Sequence, residues 1–512
     1  MSPSGKILIF IVAYNAEKTL DWVLDRVPQS VLESGAEILV IDDSSKDSTF
    51  EVGLRYKEIK PGVKLTMLRT PTNQGYGGNQ KLGYRYAIEK DFDAVVLIHG
   101  DGQYPPEMIE PITEPILSGQ ADAVFGSRML EKGGALKGGM PLYKFVGNKI
   151  LTTFQNWWLG SSLSEFHSGF RAYSVSALAQ VPFENNTNDF HFDTEIIIQF
   201  FRKNLRIHEI PIPTYYGDEI CHVNGMKYAW DVVKATLLSK IQNLGLFYQR
   251  KFDVGKEVEY SPYRPKLGFR SSHTMAIENI MPGETVLDLG CGQGIVAKAL
   301  KEKGCTVFAA DKVPITDARE FCDHFEKLDL DSHKFPEALS ARKIDTILLL
   351  DILEHLKDPE GFLDSLRNTF GVHTPRVIIS TGNVAFFPLR FVLLFGGFNY
   401  GPRGILDKDH KRLFTFRTLK LLLEESGFQV SSLSGVPAPF PLALGDSVLS
   451  QNLLRFNSLL TSFWRSLFSY QIFATSKMTP SVEAMLSTMS GEDLISSPQL
   501  RNDGLRQPVE NL

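Results

Sequence analysis

Short apolar runs alternate with amphipathic stretches through the first part of the chain. ILIFIVAY from Ile7, EILVIDD, TMLR and AVVLIHGD read as four strands, too short and too continuously apolar for surface helices. Between them AEKTLDWVLDRV, SKDSTFEVGLRYKEI and GGNQKLGYRYAIEK carry helical spacing. Such alternation predicts a mostly parallel sheet covered by helices. ADAVFGSR adds a strand, and RIHEIPIPTYY reads as an edge strand because of its prolines. LEKGGALKGGMP, rich in glycine, reads as a mobile loop. The periodicity lapses in the polar linker 246–275 and then restarts with ETVLDLGCGQG, CTVFAADKV, IDTILLLDILEHL and RVIISTGN. The pattern therefore predicts a first α/β domain over 1–245, a second over 276–478, and a disordered tail over 479–512.

Composition narrows the class. The 512 residues are 43% hydrophobic and 22% charged, with a formal charge of -5. That suits two or more globular domains; the charge balance does not point to nucleic acid, and leaves local basic patches open. Cys221, Cys291, Cys305 and Cys322 have neither paired nor metal-ligand spacing and read as reduced cytosolic thiols. The N-terminus reads as a strand, not a signal peptide. The longest apolar stretch, VAFFPLRFVLLFGGF, is broken by Pro388 and Arg390. The expectation is a cytoplasmic protein whose membrane association, if any, is peripheral.

In an open α/β sheet, ligands gather at the C-terminal strand ends. Here those ends offer Ala13-Tyr14-Asn15, Asp42-Asp43-Ser44, the NQGYGG loop with Gly77, and Asp101-Gly102-Gln103. Asp42 suits a base or ribose, and Asp101 suits a hard divalent cation that would neutralise a diphosphate. Each also reads alone as a helix cap, a loop or a turn. Their recurrence at consecutive strand ends favours the site.

AYNAEKTL, ILVIDDSSKDSTFEV, NQGYGGNQKLGYRYA, HGDGQYPPEMI, ADAVFGSR, HSGFRAYS and FHFDTEIIIQFFRKNLRIHEIPI make residues 5 to 240 resemble the family 2 glycosyltransferases of GT-A fold, near the dolichol-phosphate mannose or glucose synthases. The resemblance implies that Asp42 contacts the nucleoside and that Asp101 and Gln103 hold Mg²⁺ or Mn²⁺. It places Arg128 and Arg171 toward phosphate or acceptor, and Asp193 and Glu195 on a helix near the acceptor. A hydroxyl acceptor would take its base from those two carboxylates, whereas a lipid phosphate needs none. Three positions depart from the pattern. His99 replaces the first aspartate of Asp-x-Asp-x-Gln, so a site with His99 as third ligand should favour Mn²⁺. Ala16 replaces an acidic residue, with Glu17 one place late, leaving UDP and GDP both open. HVNGMKY replaces an Arg-rich segment, with Lys227 left for phosphate.

In the second domain Gly290 and Gly292 allow close backbone approach, and Gly294 lets the next helix pack on the sheet. A bare glycine motif serves dinucleotides equally. Asp288 inside the strand, Asp311 about 20 residues on and Asp329 after a third strand narrow it. VLDLGCGQG, AADKV, KLDLDS, ILLLDILEHLKDP and HKRLFT resemble the class I S-adenosylmethionine-dependent methyltransferases, over residues 270 to 478. That implies a Rossmann-like fold with Asp288, Gly290, Gly292, Asp311, Asp329 and Asp351 around the cofactor. His355 and His410 are base candidates for an O-methyl transfer; each also reads as an ordinary packing or surface histidine. NVAFFPLRFVLLFGGFNYG reads either as a lid or as a core helix.

Together the two resemblances imply two doubly wound domains. They make the chain a bifunctional enzyme that joins a nucleotide-sugar donor to a glycan or polyprenyl-phosphate acceptor and methylates in the same glycan or glycolipid pathway. Two alternatives are a polyprenyl-phosphate sugar synthase with an unrelated methyltransferase, and a methyltransferase whose first domain only binds sugar nucleotides.

Overall fold

The computed structural model describes residues 5–214, 224–242, 247–254, 267–313 and 318–480. The chain forms two compact units, Met1–Gln242 with Gln249–Ser261, and Asn243–Tyr248 with Pro262–Leu512.

Unit 1 is built on β1 (Ile7–Ala13), β2 (Glu37–Asp42), β3 (Leu65–Arg69), β4 (Ala94–His99), β5 (Ala123–Ser127), β6 (Arg171–Ser174) and β7 (Ile207–Pro211). Their order is β3-β2-β1-β4-β6-β5-β7. The expected strands all form. β1 and β4 are apolar on both faces because helices cover both sides, and their side chains divide between two buried clusters. β6, which the sequence showed only as part of GFRAYS, runs antiparallel to both neighbours. β7 pairs only with β5 and is an edge, as its prolines predict.

Two expectations change. Residues 130–141 are a packed connection rather than a mobile loop. Gly134–Lys137 is helical, Met129, Ala135 and Met140 are buried together, and a Cβ on Gly138 would stand 2.2 Å from the Thr214 carbonyl. The stretch AEKTLDWVLDRV is helical only over Leu20–Asp25, and a separate short helix, Gln29–Glu33, follows it after Pro28.

Unit 2 has β8 (Thr285–Leu289), β9 (Thr306–Asp311), β10 (His324–Lys327), β11 (Thr346–Leu350), β12 (Arg376–Gly382), β13 (Phe428–Val436) and β14 (Gln471–Met478), ordered β10-β9-β8-β11-β12-β14-β13. β14 runs antiparallel to β12 and β13; the other pairings are parallel. The helix Phe387–Leu394 is not a core helix, since it buries only Leu389.

The stretch read as linker is partly ordered. Phe252 is buried beside Ile198 and Ala235, and Ser272–Glu278 is a helix capped by Ser271. Residues 255–266 of that stretch, Cys221 and the tail from 481 lie outside the described residues. Among the described residues no helix is long and apolar enough to cross a membrane.

Candidate active sites

In unit 1 the register sets Ala13 beside Asp42 and Val12 beside His99, so the strand ends meet along one edge. The chain must turn sharply there. Asn15 and Ser44 take φ of 51° and 56°, and the two turns are tied by Asn15 N donating to Ser45 Oγ (2.8 Å) and Lys46 N donating to Asn15 Oδ1 (3.0 Å). Above this edge lies a cavity of about 1600 Å³. Ala13, Tyr14, Asp43, His99, Asp101, Gln103, Arg128 and Asp193 line it; Asn15, Asp42, Gly77, Arg171, Glu195 and Lys227 do not.

The two adjacent aspartates have different work. Asp42 is fully buried, accepts from Ser45 N and Oγ, and pairs with Arg69 at 3.3 Å. Asp43 accepts from Gln74 N (2.8 Å), Gly75 N (2.9 Å) and Thr70 Oγ1 (2.9 Å), which pins the NQGYGG loop to β2. Gly77 is a steric requirement of that loop, because a Cβ would meet the Thr187 carbonyl at 2.5 Å.

Asp101 and Gln103 stand on the cavity wall, and Asp101 Oδ1 accepts from Gln103 N at 3.0 Å. A carboxylate and an amide oxygen reachable from a cavity are the donor set a hard divalent cation takes. His99 departs from the expected set. Its Nε2 faces the Tyr76 hydroxyl at 3.1 Å, Tyr76 and Tyr104 enclose the ring edge-on, and Gly169 lies against its Cε1–Nε2 edge. That nitrogen faces the wall, while Asp101 and Gln103 bring the oxygen donors of the cavity to the same strand end as His99.

FDTE opens the helix Phe192–Lys203, and its two carboxylates diverge. Asp193 faces the cavity, accepting from Tyr76 Oη and Gln80 Nε2, both at 3.1 Å. Glu195 is turned away, where it accepts from Thr187 N (2.7 Å) and binds Lys251. Arg171 is also displaced from its expected place toward the phosphate. Its guanidinium donates to the Ser168, Phe166 and Asp193 carbonyls, and it backs the Asp193 carboxylate at 3.6 Å.

Arg128 lines the cavity but pairs with buried Glu165. Burial would raise that carboxyl; the guanidinium beside it holds it below the usual range. Lys227 pairs with Asp189 at 2.5 Å and stands 4.0 Å from Asp231. Asp189, His191 and Asp231 form a cluster of metal-like spacing, with that ammonium at its edge.

The sequence reading missed His167, although it quoted HSGFR. His167 lines the cavity, its Nδ1 meets Tyr228 Oη at 2.9 Å, and among the described residues its Nε2 has no partner. Burial pushes its pKa down to about 4, so the ring is neutral at neutral pH.

In unit 2 the expected glycines take φ of +75°, +56° and +72° at Gly290, Gly292 and Gly294. A Cβ on Gly290 would lie 2.0 Å from Ile352, so no larger residue fits without rearrangement. Asp311 closes β9 and accepts from Gly292 N (2.8 Å) and Val313 N (2.9 Å). Asp351 follows β11 at φ 59° and accepts from Ser380 Oγ (2.6 Å) and Gln471 Nε2 (2.7 Å). Asp329 lies two residues past β10 and pairs with Lys312 at 2.9 Å. Asp288 is buried with Oδ2 unpartnered, and burial, then Asp311, pushes its pKa up to about 7.

His355 and His410, which the sequence offers separately, meet edge to face with ring centroids 4.7 Å apart. His410 Nδ1 lies 3.0 Å from the Ile405 carbonyl. A carbonyl accepts only, so the neutral ring carries its proton on Nδ1 and its lone pair on Nε2. Burial, then His355, lowers the His410 pKa. Glu354, unnoticed in LEHL, is buried with Oε2 unpartnered, and burial, then Asp351, raises its pKa to about 8.

The comparisons agree with this division. The glycosyl transferase family 2 profile matches residues 8–181, and a methyltransferase domain profile matches residues 263–433. An uncharacterized protein of Methanocaldococcus jannaschii is 30% identical, over 42% of this chain and 83% of its own length. The UDP-N-acetylglucosamine–dolichyl-phosphate N-acetylglucosaminyltransferase of Methanococcus voltae is 29% identical, over 41% of this chain and 86% of its own. The undecaprenyl-phosphate mannosyltransferase of Micrococcus luteus is 27% identical, over 40% and 82%. The chain thus belongs to glycosyl transferase family 2 through a first unit of GT-A fold, and it carries a class I methyltransferase domain as its second.

Proposed function

We propose that unit 1 moves a sugar from a nucleoside diphosphate to a polyprenyl phosphate, and that unit 2 transfers a methyl group from S-adenosylmethionine to a hydroxyl in the same glycolipid pathway. The observation that carries the first part is the two-sided lining of the cavity. Its inner wall is the polar strand-end edge. The helices Leu142–Leu159 and Gly225–Ile241 add Tyr143, Ile150, Leu151 and Met226 to the lining, alongside Lys144, Asn148 and Tyr228. Tyr143, Ile150 and Met226 are largely exposed, as are Leu142, Trp157 and Trp230 on the same two helices. A polar head with an apolar tail matches that division, and the acceptors named for the Methanococcus and Micrococcus relatives support it.

Asp101 and Gln103 would hold a divalent cation, which when bound supplies positive charge to the leaving diphosphate. Tyr14 and the Asp43-pinned loop border the nucleoside end. The acceptor phosphate oxygen is already anionic; it forms the new bond at the anomeric carbon as the bond to diphosphate breaks, inverting that centre. His167 Nε2–H, with Nδ1 accepting from Tyr228, donates to the acceptor phosphate. A hydroxyl acceptor is the second reading, favoured by Asp193. Its carboxylate is held on the cavity wall where a base for an alcohol would stand.

In unit 2 the fit to the methyl donor rests on Asp288 and on the left-handed glycines. An unpartnered buried carboxyl beside an exposed-backbone turn suits a cationic ligand with a ribose. That donor brings an already activated methyl. His410 Nε2 then takes the acceptor hydroxyl proton, with Ile405 fixing the tautomer.

Incubation with radiolabelled UDP- and GDP-sugars, membrane lipid and Mn²⁺ or Mg²⁺ tests the first part. The expected product is butanol-soluble and labile to mild acid. Label found only in water-soluble glycans would select the hydroxyl reading, and no transfer at all would leave unit 1 a binding domain. Calorimetry with S-adenosylhomocysteine tests the second part.

A further inference from the structure

The helix Val448–Phe463 is built inside out. Its buried face carries Ser450, Leu454, Asn457 and Thr461. Asn457 accepts from Ala438 N (2.8 Å) and donates to the Phe468 carbonyl (3.0 Å), and Thr461 donates to the same carbonyl (3.2 Å). Its outer face carries Leu449, Phe456, Leu459 and Phe463, the last two 71% and 85% exposed. A surface helix normally shows the reverse arrangement. The helix Phe387–Leu394 shares the apolar outer face, with Phe387, Phe391, Leu393 and Leu394 outward, although it buries Leu389. The two meet at the turn Arg465–Phe468, where Phe387 and Phe468 lie 6.3 Å apart and Asn383 Nδ2 donates to the Ser469 carbonyl (2.8 Å).

Charge identifies what covers this face. No Asp or Glu occurs between Asp364 and Asp407, or between Asp446 and Glu483, while Arg390, Arg403, Arg455 and Arg465 fall in those intervals. Beside Phe463 and Trp464 lies a groove of about 790 Å³ whose charged lining is Arg270, Arg417, Lys420 and Arg465, with no carboxylate. An interface with a second copy would set like charges against each other across a two-fold axis. Lys420 is paired with Glu424 at 3.5 Å, yet Arg270, Arg417 and Arg465 leave the groove with an excess of cations, and exposed aromatics and leucines beside such an excess match a bilayer of anionic lipid.

We propose that this face of unit 2 seats the protein on a membrane containing anionic phospholipid, with the phenylalanines and leucines in the interface and the groove at the headgroups. The proposal does not depend on which sugar or methyl acceptor is used.

The test is flotation of the full chain with phosphatidylcholine vesicles, with and without phosphatidylglycerol. The chain should float with the anionic vesicles and be released by salt. The triple variant Phe456→Ser, Leu459→Ser, Phe463→Ser should lose at least about tenfold in partitioning. Arg417→Gln with Lys420→Gln, which leaves the apolar face intact, should lose about fivefold per charge. S-adenosylhomocysteine affinity should be unchanged in both, which separates this proposal from the methyltransferase reading. A control triple in unit 1, Leu142→Ser, Ile150→Ser, Trp157→Ser, should retain flotation through unit 2. Equal flotation of wild type and the Phe456 triple would overturn the proposal. So would a concentration-dependent dimer that this triple abolishes, which would assign the face to a second copy.

Discussion

The two units bury their carboxylates in opposite ways. In unit 1, Asp42 lies against Arg69, Glu165 against Arg128, Asp193 against Arg171 and Glu195 against Lys251. In unit 2, Asp288 and Glu354 are as deeply buried, and among the described residues neither pairs with Arg or Lys. A buried charge must be paired or neutralised. Unit 1 pairs, so these charges stand whatever occupies the cavity. Unit 2 raises the carboxyl pKa instead, to about 7 at Asp288 and about 8 at Glu354, so that a cation arriving there favours the ionised form. A sulfonium is such a cation.

Breaking a pair in unit 1 should therefore be the most damaging change. Arg171→Met leaves Asp193 buried beside an apolar side chain and should cost about 3–5 kcal/mol. Calorimetry should show one unit melting roughly 10 °C lower and the other unmoved; coincident transitions unchanged from wild type would break the comparison.

Asp288→Asn should do the reverse. An unfolded aspartate ionises near pH 4, whereas the folded Asp288 keeps its proton to about pH 7. Across that window the folded state holds more protons than the unfolded state, so stability falls as pH rises. The variant should gain at most about 4 kcal/mol at pH 8 and nothing below about pH 4. A Tm difference independent of pH would show that Asp288 is not protonated in the fold.

Asp101→Ala should leave both melting transitions in place and weaken nucleotide-sugar binding with divalent cation by about 100-fold, roughly 2.7 kcal/mol. Unchanged affinity would remove Asp101 from the site.

The smallest effect should come from His355→Gln. With His410 as the proposed neutral base, methyl transfer should fall as pH drops through a midpoint below about 6.5. His355 contributes to lowering that midpoint. Its removal should raise the acid limb by less than about one pH unit. No movement would mean that the edge-to-face contact with His355 does not act on the proton of His410.

Much of this was legible in the chain because strand cores are apolar and strand ends are not. β1 to β5, β8, β9, β11 and β12, the glycine turn and Asp311 follow from that contrast, whereas β10, with the sequence HFEK, does not show it. Direction was less legible. Asp193 and Glu195 are two residues apart on a helix, so they point to nearly opposite sides, and FDTE alone does not say which side is the cavity. Arg171 points inward because its register sets it beside buried Leu97 and Phe125, a fact carried by β4 and β5 rather than by RAYS. His355 and His410 are drawn together by loops whose course has no periodicity. The helix Val448–Phe463 has the right period with the polarity reversed, which only its surroundings reveal.

The place of β6 also governs how the protein is made. β4 and β5 do not touch as neighbours; Arg171–Ser174 stands between them. A nascent chain that has not yet delivered those four residues holds the four-stranded sheet β3-β2-β1-β4 with a bare edge at β4, and β5 as a strand without a neighbour. Release from the ribosome before that point should give an insoluble product, and closure of the sheet on arrival of Arg171 sets the earliest moment at which unit 1 acquires a cavity wall.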